Sequence, residues 1–74
     1  MEYLRHTDYL LKVGSNIKRI RESQGISQDE LSFRTNVSKS QIGAIERGQI
    51  NTGLSTLYEL AMGLNVDIRE FFAT

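Results

Sequence analysis

Apolar residues recur along this chain at helical rather than strand spacing. Leu10, Val13, Ile17 and Ile20 fall at three- and four-residue steps, the interval that places side chains on one face of a helix. Thr7 is positioned to cap the start of this helix and Gly25 to stop it, because glycine readily takes the left-handed conformation that ends helices. Ser27-Gln28-Asp29-Glu30 then sets a hydroxyl three residues ahead of a carboxylate. In such a capping box each side chain satisfies a free backbone amide of the other residue, and a short helix centred on Leu31 follows. The pattern breaks at Thr35-Asn36-Val37, where Asn36 is expected to adopt the left-handed conformation of a tight turn. Ser38-Lys39-Ser40-Gln41 repeats the capping signature and opens a third helix, which carries Ile42 and Ile45 inward and ends at Gly48.

Residues 49–53 form a polar loop, with Asn51 and Thr52 as candidate caps for a fourth helix. Its buried face is read as Leu54, Leu57, Leu60, Ala61 and Leu64, and Asn65 terminates it in a left-handed conformation. Asp67-Ile68-Arg69-Glu70 is a third acid-ended capping signature, for a short last helix bearing Phe71 and Phe72. The chain has no proline, and its β-branched residues are spread singly, so it reads as all-α. Five helices with short connections, and no repeat or linker, predict one compact domain over residues 1–74.

Composition narrows the function. Seventy-four residues without a cysteine exclude a multidomain enzyme, a disulfide scaffold and a thiolate metal site. No apolar run is long enough to span a bilayer, and Glu2 and Asp8 interrupt any signal-peptide profile, so a soluble, cytoplasmic protein with no membrane partner is expected. His6 has no second ligand at metal spacing and is expected to face solvent, leaving no metal site. The serines lack a positioned base and an oxyanion site, so the chain is expected to be no enzyme and to need no cofactor. Nine basic and nine acidic residues cancel, which by itself weighs against a nucleic-acid partner. Position reverses that reading: residues 12–47 hold seven basic and four acidic side chains, while residues 1–11 sum to minus one and residues 55–74 to minus two. A basic middle lies between acidic ends.

Residues 28–47 of that basic segment meet the steric demands of a helix-turn-helix unit. Leu31, Val37, Ile42 and Ile45 supply its small core, Ser32 is compact where the two helices approach, and Asn36 occupies the tight-turn site. From Val13 to Phe72 the chain resembles the Cro and phage-repressor type of helix-turn-helix domain, also called the xenobiotic-response-element-like family. The resemblance is carried by Ile17-Lys18-Arg19-Ile20-Arg21, Gly25-Ile26-Ser27-Gln28-Asp29-Glu30-Leu31, Val37-Ser38, Ile42-x-x-Ile45-Glu46-Arg47-Gly48 and Leu57-x-x-Leu60-Ala61-x-x-Leu64-Asn65-Val66. It implies a compact five-helix bundle of the lambda-repressor-like type with the motif in helices 2 and 3. It further implies sequence-specific binding of double-stranded DNA, a homodimer on a two-fold operator, and a salt bridge from Arg21 to Glu46 joining helix one to the end of helix three.

In such units the N-terminal residues of the second motif helix face base edges in the major groove. Lys39, Ser40 and Gln41 are therefore the expected readers, lysine donating to guanine and glutamine pairing with adenine. One turn on, Ala44 offers only apolar contact to a thymine methyl, and Gly43 is read as removing bulk so that the helix approaches the groove closely. Gln28, Ser38, Arg47, Asn51 and Thr52 are the expected phosphate contacts, which fix register without reading sequence; Thr52 stands where the family commonly has proline. Lys18 and Arg19 either reach the flanking backbone or are solvated.

Apolar residues outside the expected core point to a partner. Ile50, Tyr58, Met62 and Ile68 are assigned to a two-fold dimer interface. Phe33 is also expected outside the core, and residues 1–11, an N-terminal extension carrying Tyr3, Leu4, Tyr9 and Leu10, are expected to lengthen helix one and cover it. The short chain is expected to leave no room for a ligand-sensing second domain, as in restriction-modification controller proteins and minimal phage repressors. The alternative is an antitoxin-like or other protein-interaction module of the same fold.

Overall fold

The computed structural model describes residues 6–49 and 52–73, with side chains from Thr7 onward. The expectations placed on residues 1–5, on the His6 side chain, and on Ile50 and Asn51 lie outside the described residues. Among the described residues four α-helices follow in order, α1 (His6–Ser23), α2 (Gln28–Arg34), α3 (Lys39–Glu46) and α4 (Leu54–Leu64), and then a 3-10 helix (Ile68–Phe72). The bundle is all-helical, with the fifth expected helix taking the tighter 3-10 form.

Helix ends follow sequence-local chemistry. Ser27 Oγ accepts the Glu30 amide at 3.0 Å and Ser38 Oγ the Gln41 amide at 3.1 Å. The first capping box is only half made, because the Glu30 carboxylate accepts instead from Arg34 one turn on, at 3.1 Å. At Gly25 and Gly48, both with φ of +70°, the chain reverses through paired bonds: Ile26 N to Arg21 O and Gly25 N to Glu22 O, then Gln49 N to Ala44 O and Gly48 N to Ile45 O. This is the Schellman arrangement, which satisfies last-turn carbonyls. Asn65, at φ 56° and ψ 44°, ends α4 in the same way.

Three local expectations are corrected. Thr7 lies inside α1 rather than capping it, because the helix already includes His6. Gly53, not Thr52, is the N-cap residue of α4 and makes no side-chain cap bond. Asn36 does not adopt a left-handed conformation, since Asn65 is the sole described non-glycine residue with positive φ. Thr35 makes the turn instead: its extended backbone leaves α2 while its hydroxyl donates to Leu31 O at 3.0 Å and accepts the Val37 amide at 3.1 Å.

The core joins all five elements. Ile17, Leu31, Ile42, Leu60, Leu64 and Phe71 are fully buried, with Ile20, Ile26, Val37, Ile45, Leu57 and Ala61 around them; each full burial contributes roughly 1.5–3 kcal/mol. α1 packs on α3 and on the C-terminal 3-10 helix, and α2 packs on α3 and α4. Glycine permits two of the close approaches. A Cβ on Gly14 would collide with the Ile45 carbonyl of α3, and one on Gly63 would lie 2.6 Å from the Thr35 methyl. Side-chain amides bridge distant segments, Asn16 donating to Phe71 O and Ala73 O at 2.9 and 2.8 Å and Gln24 to Leu64 O at 2.8 Å. Leu54 was expected in the core but is 70% exposed. It sits one and two turns before Tyr58 and Met62, so the helical repeat places it on their outward stripe. Phe33 is 92% exposed, so α1 does not cover it.

Candidate nucleic-acid interface

The helix-turn-helix is the pair α2–α3 joined by residues 35–38, and its small core forms as expected: Leu31, Val37, Ile42 and Ile45 are all buried. What holds α3 against the rest of the molecule is a polar network at its C-terminal end. Glu46 is buried there, and its Oε2 accepts from Arg21 Nε at 2.7 Å while its Oε1 accepts from Arg21 Nη2 at 3.0 Å. Arg21 Nη1 donates to Ile26 O at 2.8 Å, tying the turn between α1 and α2 to the same group. Gln28 Nε2 adds a third donor to the carboxylate, at 2.9 Å. Among the described residues no buried side-chain nitrogen or oxygen lacks a partner, the condition under which a buried ion pair offsets its desolvation. Donation to Glu46 outweighs burial and raises the Arg21 pKa above its ordinary value. A raised pKa adds stability below the unfolded value of arginine, so this contribution does not titrate at any ordinary working pH.

The other end of α3 is open. Lys39 and Ser40 are exposed, Gln41 and Ala44 half-buried, and together they form the outward surface of the helix's first turn and a half. Lys39 Nζ lies 3.3 Å from Asp29 Oδ2, with both side chains more than half exposed. Ser38 spends its hydroxyl on the cap, leaving its exposed position rather than its side chain for a further contact. Arg47 follows α3 in an exposed position, its Nε donating to Gln49 Oε1 at 2.9 Å.

Gly43 and Thr52 have surroundings that the sequence does not indicate. Gly43 does not face outward: it is buried, and a Cβ there would meet Arg47 Nη1 at 3.0 Å and Gln28 Oε1 at 3.7 Å. Gly43 therefore lies against Gln28 of α2 and the Arg47 side chain. Thr52 is half-buried and lines a cavity of about 160 Å³ with Tyr9, Leu10, Val13, Ile45, Leu57 and Phe72. Reading the residues singly also missed the Gln28–Glu46 bond and the Lys39–Asp29 pair. Both cross the turn between α2 and α3, where no periodicity links partners. Gly14 did carry a signal, since a glycine inside a long helical pattern marks a close backbone approach.

A second surface lies on α4. Leu54, Tyr58 and Met62, between 58 and 70% exposed, form with Ser55, Glu59 and Ile68 an open apolar groove. Tyr58, Met62 and Ile68, assigned to the dimer interface, are thus brought together, and Leu54 joins them. Among the described residues no cluster of His, Asp and Glu is arranged to hold a metal ion, and no helix is long and apolar enough to cross a membrane.

Comparison with known proteins agrees with this geometry. Residues 17–71 match the helix-turn-helix family HTH_3. The uncharacterized HTH-type transcriptional regulator y4dJ of Sinorhizobium fredii is 43% identical over 54 residues, 73% of this chain and 70% of that protein. Two other curated regulators are longer, and the chain spans 34% and 29% of their lengths. The restriction-modification controller protein C.AhdI of Aeromonas hydrophila superposes with a TM-score of 0.83 at 36% identity, over 85% of this chain and 96% of that one. The controller protein C.Esp1396I, solved as a tetramer in complex with its natural 35 base-pair operator, gives a TM-score of 0.80 at 34% identity over 86% and 84%. With the motif formed by α2 and α3 and its relatives among transcriptional regulators, the chain belongs to the helix-turn-helix family of the Cro and phage-repressor type.

Proposed function

We propose that this protein is a transcriptional regulator that binds double-stranded DNA sequence-specifically as a homodimer. The observation that carries the reading is the exposed head of α3, where Lys39, Ser40 and Gln41 stand on a helix fixed from behind by a buried, fully bonded ion pair. Lys39 donates to guanine acceptors, Gln41 to adenine, and Ala44 offers its methyl to thymine. Arg47, Ser38, the N-terminal residue Gln28 of α2, Thr52 and Asn51 contact the phosphates that set register. The chain acts as one domain on the cytoplasmic DNA, with no catalytic step and no cofactor.

The α4 groove supplies the second half of the reading. A second copy covers Leu54, Tyr58, Met62 and Ile68 about a two-fold axis, which sets two α3 helices about 34 Å apart, one turn of DNA, on a palindromic site. That a relative forms a tetramer on its operator supports assembly on DNA. The test is selection of bound sequences from a random duplex library, followed by a shift assay with the enriched site. A palindromic motif is expected; failure of folded protein to enrich any motif at low salt removes the reading. For the interface, Tyr58→Glu is expected to shift sedimentation equilibrium from dimer to monomer without loss of helix content, whereas an unchanged dimer places the two-fold axis elsewhere.

A further inference from the structure

We infer that Gly43 is a positioning residue for DNA binding: its bare Cα is the seat that holds the Arg47 guanidinium beside Gln28, ready for a phosphate. The inference rests on the DNA-binding reading above and deepens it. A glycine inside an eight-residue helix weakens that helix relative to alanine, and no neighbouring backbone occupies the space its Cβ would take. The nearest atoms to that space are Arg47 Nη1 at 3.0 Å and Gln28 Oε1 at 3.7 Å. Backbone clearance explains Gly14, where the colliding atom is the Ile45 carbonyl, but it does not explain Gly43.

Both neighbours are themselves held. Glu46 fixes Gln28 through Nε2, and because the amide is planar, its Oε1 is directed away from that bond toward the Gly43 seat. Gln28 Oε1 and Arg47 Nη1 thus both border the space left by the missing Cβ. Gln49 Oε1 accepts from Arg47 Nε at 2.9 Å on the other side. The buried Arg21–Glu46 pair therefore fixes Gln28 on one side of the Gly43 position, and Gln49 restrains Arg47 on the other. Fixing a long side chain before binding removes part of the entropy lost when it grips a ligand, and the planar fork of arginine makes such placement effective for phosphate. A Cβ at 3.0 Å from Nη1 displaces the guanidinium by a few tenths of an ångström at little folding cost, because the displaced group is the free end of an exposed side chain.

Gly43→Ala separates stability from binding. The expected result is a melting temperature equal to or above that of the wild type, with affinity about threefold weaker for specific and non-specific duplexes alike. In an Arg47→Ala background the same substitution is expected to have no further effect on binding, the signature of two residues acting through one contact. The Nε–H resonance of Arg47 in the free protein is expected to shift in Gly43→Ala, a readout that needs no DNA. Wild-type protein that binds no duplex removes the DNA-binding reading and this inference with it. Wild-type binding with Gly43→Ala unaltered, or with Gly43→Ala equally damaging after Arg47→Ala, overturns this inference alone.

Discussion

The two ends of α3 use the same chemistry to opposite effect. At the tail, Arg21 and Glu46 meet at 2.7 Å with side chains 8% and 2% exposed, and Gln28 completes the carboxylate's partners. At the head, Lys39 and Asp29 meet at 3.3 Å with side chains 59% and 72% exposed. Water screens the second pair, so it is worth little, while the first cannot lose a partner without stranding a charge in the interior. The buried pair fixes the helix, whereas the screened pair can be broken at almost no cost to folding.

Breaking the tail gives the largest effect. Glu46→Ala leaves Arg21 buried without a counter-charge and is expected to cost about 3–5 kcal/mol, most of the stability of a domain this size; urea unfolding measures it, and a loss below about 1 kcal/mol would show that water reaches Arg21. Gly14→Ala attacks the same seam sterically, since the new methyl meets the Ile45 and Glu46 carbonyls. It is expected to destabilise by about 1–3 kcal/mol despite the better helix propensity of alanine, as a lowered urea midpoint. Changes at the head leave folding alone. Lys39→Ala is expected to lose about 1–3 kcal/mol of discrimination at one base position, visible as a relaxed position in the selected motif at unchanged melting temperature. The smallest effect belongs to Asp29→Asn, expected to alter stability by less than about 0.5 kcal/mol and to strengthen binding to random duplex DNA slightly by freeing Lys39. A shift assay with non-specific DNA measures it, and weaker binding would mean that Asp29 orients Lys39 rather than restraining it.

The legible parts of this molecule are those decided within a few residues. Ser27, Ser38 and Asp67 cap the elements they precede, and Gly25, Gly48 and Asn65 end helices in the left-handed conformation. The motif core could be read because its spacing is fixed by helix geometry. Leu54 was misread for the opposite reason: it stands three residues before buried Leu57 and four before exposed Tyr58, so the apolar pattern fits both faces, and the packing of α4 selects the stripe it shares with Tyr58 and Met62. Asn36 likewise had the right chemistry for a left-handed turn, but the Thr35 hydroxyl already bridged the turn on both sides. For the candidate site, the residue types and the head of α3 were legible, whereas the partners that orient them were not.

Local sequence sets the helices, most of their ends and the polar head of α3, because capping and periodicity operate over one or two turns. Packing between elements sets the rest: Gln28 bonds to Glu46, Arg47 lies over Gly43, and Leu54 completes the apolar groove of α4. Those pairings join residues from different elements, and their partners follow from the angle at which helices pack around a shared core, which no local spacing encodes.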